Sequence, residues 1–294
     1  MLTEVISLYK ASLVLEGGGL RGVYTAGVLD AFMDKGLEFH TVVGSSAGAC
    51  NGSRFVAKDR GAMRHIQIDL MQGPDYCGMK YIFKTGTYLN MDYLFETIPF
   101  EIQVFPFKVY NESKTKFYSV VTDIYSGTPC YLEKSKYPGI APVRASSSLP
   151  LAANIVRIGN EYYMDGGLTD AIPFKKGLEE NEKCLVITTR QKGYKKKPMR
   201  GMFLIKRMYN KNWPDFVNAL KVRHKMYNQQ LKDLDAAEKE GKAFVIYPSG
   251  DINIGRLKAD KADLERIYQM GYDDAMANMD RIVKFLEECG RCEQ

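Results

Sequence analysis

The sequence predicts an α/β fold with a mostly parallel central sheet and crossover helices. Two short apolar runs, at residues 12–15 and 41–43, each end at glycine, and each is followed by a stretch with helical spacing. Strand, glycine turn and helix, repeated in this order, is typical of chains that build a parallel sheet.

The elements follow one another from the amino end in the expected order. Residues 12–15 are an apolar run typical of a buried strand, and the glycines that follow indicate a tight turn. Apolar and small side chains recur at helical spacing from residue 23 to 32, so we expect a helix that ends by Gly36. After the strand at 41–43, small residues from Ala47 onward predict a second helix.

Further strands and helices are expected beyond residue 110. Residues 117–122 and 184–189 resemble interior strands, and residues 244–247 predict a last strand closed by Pro248. Long helical patterns cover 216–234 and 263–286. Residues 99–107 combine aromatic side chains with proline, which suits either an irregular lid or an ordinary buried loop.

Composition excludes several classes of protein. The 294 residues are 45% hydrophobic and 26% charged, which argues against disorder, collagen and coiled coil. The net charge of +6 permits contact with an anionic surface without requiring it.

No apolar run approaches the roughly 20 residues of a membrane span, so we expect any membrane contact to be peripheral. Six scattered cysteines and no secretory leader before Leu13 favour reduced thiols and a cytoplasmic location.

The candidate nucleophile is Ser46. It is the central residue of a G-x-S-x-G pattern whose glycines are Gly44 and Gly48, at the point where a predicted strand turns into a helix. A nucleophile in such an elbow occupies a strained turn, and flanking glycines remove side-chain clashes. The alternative is a tight turn with a serine that caps the helix.

A second glycine-rich segment follows the first strand and reads Gly17, Gly18, Gly19, Leu20, Arg21 and Gly22. Consecutive glycines expose backbone N–H groups, which can hold the oxyanion of a tetrahedral intermediate. Arg21 would fix this loop or attract an anionic head group.

The same segment also fits the G-x-G-x-x-G pattern of dinucleotide-binding proteins. That interpretation expects an acidic residue at the end of the next strand, to bind the ribose. Here that strand ends in Gly44, Ser45 and Ser46 without a carboxylate, which disfavours nucleotide binding.

The candidate base is Asp165, which two glycines follow and three residues with large side chains precede. Partial desolvation at a strand end would raise the pKa of this carboxyl and make it a better base. Taken alone, the motif favours a simple turn at the end of a strand, and only its combination with the other two motifs favours a base.

Together these motifs resemble the patatin-like phospholipase family, which combines a Gly-Gly-Gly-x-Arg-Gly loop, a G-x-S-x-G serine and a later Asp-Gly-Gly. Residues 144–150 also look like the family's alanine-serine-x-x-x-proline segment, and the resemblance covers about residues 11–190. Residues 250–286 look like the C-terminal extension of some bacterial members.

The resemblance implies a three-layer α/β/α fold and hydrolysis of lipid acyl esters by a Ser–Asp dyad, without a catalytic histidine. It assigns the nucleophile to Ser46, the base to Asp165 and the oxyanion hole to the loop of Gly17, Gly18, Gly19 and Arg21. The substrate would be a phospholipid or lysophospholipid, and neither a metal nor an organic cofactor is expected. We expect residues 1–200 to form the catalytic domain and residues 201–294 to complete it or pack on it.

Other functions remain open at this stage. The order Ser46, Asp165, His224 would suit a hydrolase triad, although His224 lies in a basic helical pattern rather than on a loop. A second possibility is a catalytically inactive protein that binds lipid or a partner on the same fold. The basic run at 192–197 suits either anionic lipid head groups or solvent, and it lacks a motif for reading nucleic acid.

Overall fold

The protein is described here from a computed structural model that covers residues 8–292. Eight strands form one mixed sheet: β1 (Tyr9–Leu15), β2 (Phe39–Ser45), β3 (Lys116–Asp123), β4 (Pro129–Glu133), β5 (Val156–Ile158), β6 (Glu161–Asp165), β7 (Cys184–Ile187) and β8 (Ala243–Ile246). Their order is β5-β6-β3-β2-β1-β7-β8, with β4 also paired to β3.

The predicted α/β fold is confirmed. The strands β3, β2, β1, β7 and β8 run parallel to one another, whereas β4 and β6 pair with β3, and β5 pairs with β6, in antiparallel fashion. Each interior strand predicted from the sequence is present, with ends that differ by at most three residues. β4 and β5 were not predicted, because both are short and carry partly exposed side chains.

The helices surround this sheet. They are α1 (Gly22–Asp34), α2 (Ala47–Val56), α3 (Ala62–Arg64), α4 (Met79–Thr85), α5 (Phe107–Glu112), α6 (Ala141–Ser146), α7 (Phe174–Glu180), α8 (Met202–Tyr209), α9 (Pro214–Lys239), α10 (Lys261–Ala277) and α11 (Met279–Glu287). His65–Asp69 and Tyr93–Ile102 are π-helical, and Gly19–Arg21, Leu70–Gln72 and Gly166–Leu168 are 3₁₀ turns.

The alternation of side chains along the central strands produces three layers. Leu13 and Leu15 of β1 pack into the larger apolar core, with side chains from α1, α2, α10 and α11. Val14, between them, packs into a second core with Phe174 of α7 and Tyr227 of α9. Successive side chains of a strand point to opposite faces, so these buried strands must be apolar on both sides.

The C-terminal part contributes both a strand and a packed helix. β8 extends the sheet beyond β7, and α10 packs along α1. The helical pattern expected over 263–286 is interrupted: α10 ends at Ala277, and α11 begins at Met279 after Asn278. Asn278 leaves the helical conformation, and its side chain donates to the carbonyl of Asp274 at 2.9 Å.

No helix in the part of the chain that the structure describes has the length and apolar character needed to cross a membrane.

We expect the Gly271→Ala substitution to destabilise the protein by about 3 kcal/mol, because the added methyl group would overpack the contact between α10 and α1. A methyl group at Gly271 would lie 2.1 Å from the carbonyl oxygen of Tyr24, and one at Gly27 would lie 2.0 Å from that of Tyr268. Urea denaturation measures the change. The exposed Gln269→Ala on the same helix is the control, with an expected change within about 0.5 kcal/mol. Equal stability of the two variants would contradict the close contact of α1 and α10.

Candidate active site

Ser46 occupies a strained turn between β2 and α2. Its backbone has φ +54° and ψ −122°, a conformation that L residues rarely adopt. The turn is tight enough to exclude side chains on both sides. A methyl group at Gly44 would lie 2.4 Å from the carbonyl oxygen of Gly48, and one at Gly48 would lie 2.2 Å from that of Leu15. The flanking glycines are therefore a steric requirement of this turn.

The hydroxyl of Ser46 meets the carboxylate of Asp165. Ser46 Oγ donates to Asp165 Oδ2 at 2.6 Å, and both residues are buried. The other carboxylate oxygen, Oδ1, accepts the N–H of Gly167 at 2.8 Å. Thr122 of β3 donates to the backbone carbonyl of Asp165 at 2.8 Å. The carboxylate is thus held by its own turn and by the neighbouring strand.

Burial raises the pKa of Asp165 above its ordinary value. The hydrogen bond from Ser46, the positive charge of Arg223 and the N–H of Gly167 each lower it, but desolvation is the largest effect. A carboxylate with a raised pKa has a greater affinity for the serine proton.

The glycine loop lies directly beside Ser46. A methyl group at Gly17 would lie 3.1 Å from Ser46 Cβ. The N–H groups of Gly18, Gly19 and Ala47 donate to no residue in the range 8–292. Gly19 and Ala47 line the same cavity as Ser46, so their N–H groups can hold an oxyanion there.

The structure gives Gly17 a different role from the one that the sequence predicts. Its N–H donates to the carbonyl of Ala171 at 3.1 Å and is therefore not available to an oxyanion. Gly17 instead lets the loop approach Ser45 and Ser46 closely. Arg21 is 4% exposed, and its guanidinium hydrogen-bonds no side chain or carbonyl of the described residues.

A mostly apolar cavity opens beside Ser46. Its walls come from the helices between α2 and α5 and from α6, and they include Met63, Met71, Phe95, Pro99, Phe105 and Val143. Residues 99–107 thus contribute Pro99 and Phe105 to the wall of the cavity, while Phe100 of the same segment is exposed.

The histidine triad is not formed in the structure. Asp165 binds Ser46 directly, without an imidazole between them. His224 lies in α9, and its buried Nδ1 has no hydrogen-bond partner within residues 8–292. His40 contacts Thr41, and His65 contacts Asp69.

Three contributors were not identified from the sequence. Ser146 accepts the N–H of Ser46 at 2.8 Å and donates to the carbonyl of Val120 at 2.6 Å, so it clamps the elbow to β3. Ala47 lines the cavity, and as the first residue of α2 its N–H has no partner within the helix. Arg223 of α9 donates through Nε to the carbonyl of Gly167 at 2.6 Å. Only Ser146 had a sequence signal, the resemblance of residues 144–150 to a family segment.

Comparison with known proteins is consistent with this geometry. Residues 13–177 match the family model described as "Patatin-like phospholipase", and residues 213–287 match a second model described as a domain of unknown function. A 184-residue segment is 30% identical to the uncharacterized protein YjjU of Escherichia coli. That alignment covers 60% of this chain, and it spans about half of YjjU, 51% of its length.

Among solved structures, the chain is similar to VipD from Legionella pneumophila. The TM-score is 0.53 at 15% sequence identity, and the match covers 92% of this chain and 67% of VipD. At this identity the similarity concerns the fold alone.

We expect Asp165→Asn to stabilise the protein at pH 7, because burial makes the ionised carboxylate unfavourable in the folded state. The pKa of Asp165 is raised in the folded state, so the folded protein holds this proton more tightly than the unfolded chain does. Ionisation therefore costs stability, and the gain from Asn should shrink as the pH falls through the raised pKa of the folded protein and should vanish below about 4, where the unfolded chain is protonated too. Urea denaturation at several pH values measures the difference in the free energy of unfolding between variant and wild type. Asp251→Asn, at an exposed position, is the control. A loss of stability at pH 7, or a difference independent of pH, would contradict this account.

Proposed function

Because the chain belongs to the patatin-like phospholipase family, we propose that it is a serine hydrolase of lipid acyl esters, with Ser46 as nucleophile and Asp165 as base. The observation that carries this proposal is the 2.6 Å hydrogen bond between Ser46 Oγ and Asp165 Oδ2, in a strained turn beside an apolar cavity. A nucleophile in contact with its base is the usual signature of covalent catalysis.

In the first half of the proposed reaction, Ser46 Oγ attacks the ester carbonyl carbon while its proton passes to Asp165 Oδ2. The N–H groups of Gly19 and Ala47 bind the negative oxygen that forms. When the tetrahedral intermediate collapses, the carbon–oxygen bond to the alcohol breaks. The departing alcohol takes the proton from Asp165, and the acyl group stays on Ser46.

In the second half, Asp165 removes a proton from a water molecule that attacks the acyl-enzyme. The new intermediate is bound by the same two N–H groups. Its collapse breaks the bond to Ser46 Oγ, which regains a proton from Asp165, and the fatty acid leaves. The raised pKa of Asp165 supports both proton transfers, because the carboxyl accepts and returns a proton at a smaller energetic cost.

The apolar cavity supports an acyl chain as the group bound next to Ser46. Its walls are formed by aliphatic, aromatic and methionine side chains, and methionine adapts to flexible ligands. Ser46 lines the same cavity. This arrangement suits a substrate with a long apolar chain and an ester at one end.

Two exposed helices support a proposed peripheral contact with an anionic membrane surface. Phe83 of α4 is 86% exposed and Phe203 of α8 is 81% exposed, and both helices also carry cations. Residues 149–153 connect the two regions: Ala152 accepts the N–H of Leu89, and the N–H of Leu151 is 3.4 Å from the hydroxyl of Tyr209. Exposed aromatic residues beside cations are typical of surfaces that meet lipid.

Ser46→Ala should lower kcat/KM for a short acyl ester by at least about a thousandfold, because the variant cannot form the acyl-enzyme. It should also abolish labelling by a fluorophosphonate probe, read by mass spectrometry at residue 46. Ser45→Ala is the matched control, since Ser45 is buried next to Ser46 and its hydroxyl has no partner within residues 8–292. Full activity of Ser46→Ala would contradict the proposal. A folded wild type that neither labels nor hydrolyses would favour a binding protein.

Phe83→Glu and Phe203→Glu should each weaken partitioning onto vesicles with anionic lipid by roughly tenfold, since a buried phenylalanine contributes about 1.5–3 kcal/mol. Vesicle sedimentation measures the effect. Tyr125→Glu, in the turn between β3 and β4, replaces an exposed aromatic residue elsewhere and should not change partitioning. Unchanged binding by both phenylalanine variants would contradict contact through α4 and α8.

A further inference from the structure

Gln67 places a side-chain amide without a hydrogen-bond partner in the wall of the apolar cavity. The residue is 3% exposed, and it lines the cavity together with Ser46. Its Oε1 is buried and accepts no hydrogen bond, and its Nε2 donates none, within residues 8–292. Buried polar groups in folded proteins are nearly always hydrogen-bonded, because an unpaired one is unfavourable. The amide of Gln67 is therefore available to a ligand.

Other polar side chains of this wall are engaged by the protein. Ser53 Oγ donates to the carbonyl of Cys50 at 2.9 Å, and Cys50 Sγ lies 3.3 Å from Ser147 Oγ. The guanidinium of Arg54 forms an ion pair with Asp59. These groups have partners before any ligand enters, in contrast to the amide of Gln67.

The amide lies at the end of the cavity where the proposed reaction occurs. A methyl group at Gly22 would lie 3.5 Å from Gln67 Nε2 and 2.8 Å from Ala47 Cβ. Ala47 directly follows the nucleophile, and its N–H is one of the two proposed oxyanion donors. A group that binds Gln67 would thus lie near the ester and not at the far end of the acyl chain.

A neighbouring side-chain amide has no donor to spare for Gln67. The same methyl group at Gly22 would lie 3.1 Å from Asn51 Nδ2. This nitrogen donates to the carbonyl of Gly22 at 3.1 Å and to that of Ala47 at 2.9 Å. An amide nitrogen carries two hydrogens, so both are used.

The backbone holds Gln67 in a π-helical turn, His65–Asp69. Such turns are rare and occur frequently at functional sites. The backbone carbonyl of Gln67 accepts the side chain of Gln72 at 3.1 Å, which stabilises this turn. The residue is therefore ordered before a ligand binds, and less entropy is lost on binding.

The C-terminal helix α10 anchors the π-helical turn at both ends. Before the turn, Arg64 Nε donates to Glu265 Oε2 at 3.1 Å, and at its end Asp69 forms an ion pair with Lys261. Both partners on α10 belong to residues 213–287, the domain of unknown function. That domain thus helps to position the cavity wall that carries Gln67.

We propose that Gln67 binds a hydroxyl group on the acyl chain, close to the ester, so that the preferred substrates are esters of hydroxylated fatty acids. The acyl part of this inference rests on the hydrolase function proposed above. A hydroxyl both donates and accepts, so it can bind whichever atom the amide presents. A pocket that hydrogen-bonds a hydroxyl discriminates against a chain that lacks one, because its own polar group then stays unpaired.

Two competing explanations make different predictions. If Gln67 binds a water molecule whatever the substrate, its loss should affect hydroxylated and plain acyl chains equally. Alternatively, the hydroxyl could be bound by Tyr76, which is 2% exposed, lines the same cavity and has no hydrogen bond from its own hydroxyl within the described residues. Tyr76→Phe would then remove the preference for the hydroxylated chain, and a substitution of Gln67 would not.

The test compares p-nitrophenyl esters of 3-hydroxyhexanoic and 3-methylhexanoic acid, which are nearly isosteric and are used as monomers. The 2-hydroxy and 2-methyl pair covers the adjacent carbon. For at least one pair we expect the wild type to prefer the hydroxy ester. Gln67→Met should lower that ratio of kcat/KM, hydroxy over methyl, about tenfold, which corresponds to about 1.4 kcal/mol. Met71→Leu changes another side chain of the wall without removing a polar group, and it should leave the ratio unchanged.

Calorimetric titration with the corresponding free acids measures the same preference without catalysis. We expect the wild type to bind the hydroxy acid more tightly than the methyl acid, and Gln67→Met to remove this difference in Kd. Thermal unfolding verifies that the variants fold. Should Gln67→Met fail to fold, the wild type alone still decides, since the absence of any preference for the hydroxyl in both measurements would overturn the proposal.

The remaining outcomes separate the possibilities. An unchanged ratio in a folded Gln67→Met would overturn the assignment, and so would an equal loss on both esters or a loss of preference in Tyr76→Phe alone. If the wild type hydrolyses none of the esters but prefers the hydroxy acid in a manner that Gln67→Met abolishes, the hydroxyl site stands and the proposed hydrolase function fails.

Discussion

The contact between Ser46 and Asp165 is the interaction on which the site depends. The two residues are 119 positions apart in the chain, and several independent features bring them together. Ser146 clamps the elbow to β3, and Thr122 of the same strand holds the backbone of Asp165. β3 lies between β2, which ends just before Ser46, and β6, which ends at Asp165, so the pairing of these three strands sets the distance between the two residues.

Burial of Asp165 has opposite consequences for stability and for chemistry. Desolvation raises its pKa, which makes the ionised form costly in the folded state and makes the carboxylate a better acceptor for the serine proton. Ser46 also lowers the stability of the folded protein, because its backbone conformation is strained. The surrounding sheet and the two apolar cores supply the stability that tolerates both features.

The C-terminal part reaches the site as well as the sheet. α9 contributes Arg223 to the turn that follows Asp165, and Arg256 supports the glycine loop through its backbone carbonyl. Two residues beyond position 200 thus contact the segments that surround Ser46 and Asp165.

Much of the fold could be predicted from the sequence, because buried parallel strands are apolar runs and their turns are marked by glycine. Ser46, Asp165 and the glycine loop were found because each stands in a short motif. Ser146, Ala47 and Arg223 were not assigned a role, since their parts depend on distances that only the folded chain creates. The glycine motif includes Gly17 among the oxyanion donors, because no sequence pattern reveals that its N–H donates to the carbonyl of Ala171.

The most direct test of the central claim is the pH dependence of the rate at which a fluorophosphonate modifies Ser46. This rate reports activation of the hydroxyl without any contribution from an alcohol leaving group or a lipid surface. The account predicts an acidic limb with a midpoint above the ordinary aspartate pKa of about 3.9, lost in Asp165→Asn together with most of the rate. A fast rate whose acidic limb is unchanged in Asp165→Asn would contradict it.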